Sequence, residues 1–199
     1  MESIGKREPV QRLSAAAEHL ERYVGPYCGD VYDTAQRVFP DMSILRRTGV
    51  LINSKFKGMA FGFSDAGDPY VFIDHDDSIV GRGLRNRIIK RFDLPADLIK
   101  APRSLFLPFV LAHELGHAVQ HDEFFSAYFG EIDHTEYSPT VDYDAYVQSD
   151  KETNADYIAA VIVSRSRLGQ EAGMLPPCQP AHQWREWAQA RQLSLLDLQ

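Results

Sequence analysis

The chain has 199 residues, 44% of them hydrophobic, and a formal net charge of -7 at pH 7. Such a chain can bury one sizeable core but is too short for several full domains. The acidic balance counts against a dedicated nucleic-acid binder or an adhesive for anionic lipid, which need a basic face, and no stretch reaches the ~20 apolar residues of a membrane span.

The start, "MESIGKREPVQRL", has charges where an export signal has its apolar region, so the sequence predicts a cytoplasmic protein. Val10, Leu13, Ala16, Ala17, Leu20 and Val24 recur at helical spacing, and "GPYCG" stops that helix. A second short helix from about Asp30 ends before Pro40. "ILRRTGVLINS", "GMAFGFS" and "PYVFID" read as strands of a small antiparallel sheet. "IDHDD" after the last of them reads as a solvated acidic turn. Ser78 to Arg91 follows as a helix with a solvated basic face, "DLPADLIKAP" is a break, and the next helix runs from about Arg103 through His121.

Residues 122–148 mix aromatic and acidic side chains and read as a short helix followed by an ordered loop. "SDKETNADYIAAVIVSRSRLG" is a helix capped by Ser149 or Asp150 and closed by Gly169. Pro176, Pro177 and Pro180 lead to a last short helix carrying Trp184 and Trp187. Cys28 and Cys178, far apart and without CxxC spacing, indicate neither a disulfide framework nor a thiolate zinc site.

The chemistry concentrates in "FVLAHELGHAVQHDE". His113 and His117 are one helical turn apart, so their imidazoles project from one face and can bind one metal ion. Glu114 completes an HExxH pattern, in which the histidines hold zinc and the adjacent carboxylate takes a proton from water. The apolar residues all round this helix predict its burial, and buried imidazoles need hydrogen bonds or a metal. Gly116, costly inside a helix, predicts that another backbone packs closely there.

A catalytic zinc takes three protein ligands and leaves a fourth position for water. His121, Glu123, His134 and Glu152 are the candidates for the third. His121 lies ~12 Å along the axis from His113, too far to share an ion on a straight helix. Glu152 is chosen because it opens a separate helix, and Asp156, one turn later on the same face, can accept the second ring N–H of a ligand histidine. For the group that stabilises a developing oxyanion, the 122–148 segment offers His134, Tyr137, Tyr143 and Tyr146, with His134 and Tyr137 ranked first.

"VLAHELGHAVQ" followed by "ETNAD" resembles the neutral zinc metallopeptidases of the gluzincin class, whose motif pair is a His-Glu-x-x-His helix and a Glu-x-x-Ala-Asp helix. The resemblance covers Pro69 to about Val163, roughly half the chain, and its size compares with the minigluzincins. It implies an α+β, zincin-like fold: a small, mainly antiparallel sheet of three or four strands on an active-site helix, with a helical C-terminal part supplying the third ligand. The whole chain is then one domain: a helical extension over 1–40, sheet and active-site helix over 41–121, and the helical part over 122–199. The resemblance further implies one Zn2+ per chain on His113, His117 and Glu152, with Glu114 as general base, Asp156 behind the ligands, and a peptide or protein substrate. In gluzincins the substrate adds to an edge strand preceding the active helix, which here makes "YVFID" the candidate edge. The other function class open to this sequence is a catalytically weak zincin-fold protein serving as a metal-stabilised binding module.

Overall fold

The computed structural model describes residues 14–52, 58–73, 79–125, 129 and 143–177. Its architecture is α+β, with eight α-helices and one three-stranded mixed sheet among those residues. The helices α1 (Ala15–Tyr23) and α2 (Cys28–Val38) form a hairpin, and Ser14 caps the first by accepting the Ala17 N–H at 3.2 Å. A short helix α3 (Ser43–Arg47) precedes the strands β1 (Gly49–Ile52), β2 (Met59–Phe63) and β3 (Pro69–Ile73).

Next comes α4 (Arg82–Arg91), then two 3-10 turns, Ala96–Lys100 and Arg103–Phe106, and the central helix α5 (Leu107–Gln120). The chain continues with α6 (Tyr143–Gln148), α7 (Asp150–Arg165) and α8 (Arg167–Glu171). No helix among the described residues is long and apolar enough to cross a membrane.

The core is organised around α5, which packs along α7 on one side, on α2 on another, and under β2 and β3. Leu111, Leu115 and Val119 of α5 and Ile158 and Ile162 of α7 are fully buried, each such side chain contributing roughly 1.5–3 kcal/mol relative to exposure. This all-round burial is the reason that any polar group on α5 must find a partner.

The sheet departs from the antiparallel expectation. Its order is β1-β3-β2, with β2 antiparallel to β3 but β1 parallel to it. The segment "PYVFID" therefore provides the central strand, not an edge, as its buried alternation at Pro69, Val71 and Ile73 reflects. The edge next to α5 is β2.

Two boundaries and one helix face also differ. Ile44 to Arg47 is a helical turn, because Asp122 at the end of α5 accepts the Ile44 N–H at 2.9 Å and Ile44 and Leu45 bury beneath it. The helix α7 stops at Arg165, before Gly169: Ser166 is extended and its hydroxyl accepts the Gly169 N–H, which starts α8. Arg91 is not on a solvated face but 4% exposed, inside the core. Phe125 and Phe129 stack on each other, and Phe129 also meets Phe39 and Tyr157, so these aromatics are core packing. Cys28 is buried among α1 and α2, and burial pushes its thiol pKa up. His75, His134, Tyr137, Cys178, Trp184 and Trp187 lie outside the described residues.

Candidate metal centre

The crossing of α5 and α7 brings the site together. At Gly116 the two backbones meet so closely that a Cβ there would lie 2.6 Å from the Ala155 carbonyl oxygen. This contact sets His113 and His117 opposite Glu152 and Asp156: His117 and Asp156 directly follow the two crossing residues, and His113 and Glu152 lie one turn before them.

His113 Nε2 and His117 Nε2 are 3.1 Å apart, Glu152 Oε2 is 3.1 Å from the first and Glu152 Oε1 3.3 Å from the second. Tetrahedral ligands with bonds of ~2.0–2.2 Å stand about 3.3–3.6 Å from one another, so this triangle needs only a slight opening to fit such an ion. His113, His117 and Glu152 are the group that could hold a metal ion among the described residues. Of the other third-ligand candidates, His121 turns its ring to Phe61 and Phe63, and Glu123 is exposed.

The tautomers follow from what lies behind the rings. His113 Nδ1 is 2.8 Å from Asp156 Oδ1, a carboxylate that can only accept when ionised, so Nδ1 carries the proton. His117 Nδ1 is 3.0 Å from Gln120 Oε1, and the amide orientation is fixed because Gln120 Nε2 donates to the Lys151 carbonyl at 2.6 Å. Two neutral rings thus turn two bare Nε2 lone pairs toward each other and toward a carboxylate. A positive charge is needed there, from a metal or from a proton.

The electrostatics agree with that demand. Burial works against the charged form of His113, but Asp156 and Glu152 outweigh it and hold its pKa well above the ordinary histidine value. Burial likewise opposes the Glu152 carboxylate, yet His113 and His117 hold it far below the usual carboxylate range. Asp156 is lowered too, since Arg91 and His113 overcome its desolvation; the Arg91 Nε makes a short ion pair with Asp156 Oδ2.

Glu114 stands beside the triangle and lines the same cavity. Its Oε2 accepts the Phe61 N–H of β2 at 2.8 Å. Burial raises its pKa, with His113, His117 and the Phe61 N–H working the other way. Tyr146, ranked behind His134 and Tyr137 from the sequence, lines this cavity and hydrogen-bonds Glu152, and burial raises its pKa.

Sequence reasoning passed over Gln120 and Arg91 as parts of the site. Both left a signal: Gln120 is three residues beyond His117 and so shares its helix face, and Arg91 continues the stripe of Leu84 and Ile88 that points inward. Comparison with protein-family models, curated proteins and solved structures finds no match to the chain.

Proposed function

We propose that the chain is a zinc-dependent peptidase of zincin-like build and narrow specificity. The observation that carries this reading is the set of two imidazoles and one carboxylate, oriented by Asp156 and Gln120, with the separate carboxylate of Glu114 facing the same cavity. Two imidazoles and a carboxylate suit zinc, and three protein ligands leave a fourth position for water. Zinc held there would lower the pKa of water toward ~7 and polarise the scissile carbonyl.

The residues of the chain then divide the remaining work. Glu114, with its raised proton affinity, takes the proton from the attacking water and delivers it to the leaving amine. The Tyr146 hydroxyl, whose one O–H meets Glu152 in the free protein, would turn from it to donate to the carbonyl oxygen as negative charge grows there. Alternate residues of an edge strand turn their N–H and C=O away from their partner. Phe61 is one of these on β2, as its N–H to Glu114 demonstrates, and Met59 and Phe63 share its phase. An extended peptide adding to this edge runs past Glu114 and the metal ligands.

Digestion of a mixed peptide library by the zinc-loaded protein, read by mass spectrometry, tests the proposal. Cleavage at a restricted set of bonds, abolished by a chelator and restored by zinc, is expected. An unchanged library, or cleavage indifferent to the chelator, refutes it.

A further inference from the structure

The helix α4 presents Leu84, Arg87, Ile88 and Arg91 at the i, i+3, i+4, i+7 spacing of a single face. All four line the cavity that also contains His113, Glu114 and Glu152, a space of about 210 Å³. Half of this wall is apolar and half cationic, in a chain whose formal charge is -7.

Arg91 is engaged: its Nε meets Asp156 and its Nη2 donates to the Val147 carbonyl at 3.1 Å. Its Nη1 is buried without an acceptor among the described residues, and a buried N–H lacking an acceptor is costly. That one donor of Arg91 is thus left over on this wall among the described residues. Arg87, one turn before it, is within electrostatic reach of both Asp156 and Tyr146.

The charge count points the same way. The cavity is lined by three carboxylates, Glu114, Glu152 and Asp156, and by the two guanidiniums. With a proton on His113 these groups sum to zero in the metal-free site, and a divalent ion in place of that proton leaves them one charge positive. A metal-loaded site of this kind favours an anionic group on whatever it binds.

We propose that this cavity takes a carboxylate of the substrate, held by the Arg87 guanidinium, with the aliphatic part of the same residue against Leu84 and Ile88. This rests on the peptidase reading and narrows its substrate class. A planar guanidinium matches a carboxylate through two parallel hydrogen bonds, which is why arginine serves here better than lysine. The carboxylate has two sources of the same chemistry. A C-terminal α-carboxylate makes the protein an enzyme that trims chain ends, and an aspartate or glutamate side chain makes it selective for an acidic residue near the scissile bond.

Three acetylated peptides of equal length distinguish these cases: one ending in leucine with a free acid, one in leucine amide, one in glutamate amide. Their affinities are measured by titration calorimetry on the zinc-loaded full chain, with turnover blocked by Glu114→Gln, in the presence and absence of Arg87→Met. At least one carboxylate peptide is expected to bind about tenfold or more tighter than leucine amide, the scale of a charge-assisted pair. Arg87→Met should cut that advantage to about twofold or less, at unchanged zinc content and melting temperature. Which peptide gains identifies the source.

Equal binding of all three, or no binding, overturns the inference. So does an advantage that survives Arg87→Met, since the carboxylate is then held elsewhere, for instance on the metal itself. Hydrolysis is read separately on the protein with Glu114 intact. A carboxylate preference without hydrolysis sinks the peptidase reading alone, and hydrolysis without a preference sinks only the present inference.

Discussion

Gly116 of α5 rests against the carbonyl of Ala155 in α7, with 2.6 Å between that oxygen and the place a Cβ would occupy. Because the neighbour is backbone, the conflict in Gly116→Ala can be relieved only by moving one helix away from the other. We expect a loss of about 1–3 kcal/mol or more in stability. Zinc affinity should fall with it, since separation of the helices draws Glu152 away from His113 and His117. Chemical denaturation and a zinc competition titration check both, and an unaltered zinc affinity would show that the crossing does not set the ligand triangle.

Gln120→Leu removes the acceptor behind His117 and the donor to the Lys151 carbonyl. Replacing a group that orients a ligand histidine typically costs ~10–100-fold in metal affinity. The zinc dissociation constant of the variant should rise by that range. Affinity within about twofold of the parent would assign Gln120 a packing role only.

Glu114→Gln leaves an amide oxygen that can still accept the Phe61 N–H, so the fold and zinc binding should persist. Loss of the general base should lower kcat by at least ~100-fold, with KM changed little. Peptide turnover at an undiminished rate would contradict the assigned role.

Much of this arrangement was legible in the sequence because it is local. His113 and His117 share a helix face by spacing alone, Gly116 signals a close neighbour, and Ser149 marks the start of the helix carrying Glu152; its hydroxyl accepts the Glu152 N–H at 3.3 Å. What escaped depends on contacts between distant segments. The helical turn at Ile44 is held by Asp122, 78 residues away, and the parallel pairing of β1 with β3 has no local signal that distinguishes it from a meander. A basic run such as "GRGLRNRIIKR" reads as solvated until one arginine finds a buried carboxylate, as Arg91 does in Asp156.

The metal-free protein should show a definite pH window. His113 has a raised pKa, so its contribution to stability is full below the unfolded value of ~6.5 and fades as pH rises through the folded one. Glu152 and Asp156 are lowered, so theirs are present above ~4 and lost as pH falls. The melting temperature of the metal-free chain should therefore peak between these limits. Zinc must displace the His113 proton, so zinc affinity should climb from pH 6 to pH 8, by up to about tenfold per pH unit. A flat affinity profile would show that no such proton is displaced.

The most direct measurement is the zinc stoichiometry of the full chain, by elemental analysis and titration, beside Glu152→Ala and His117→Ala. One equivalent of tightly held zinc per chain, weakened at least ~100-fold by either substitution, is the result expected of a His113, His117, Glu152 centre. A native chain that takes up no zinc, or a Glu152→Ala protein that holds it as tightly as the parent, contradicts that centre.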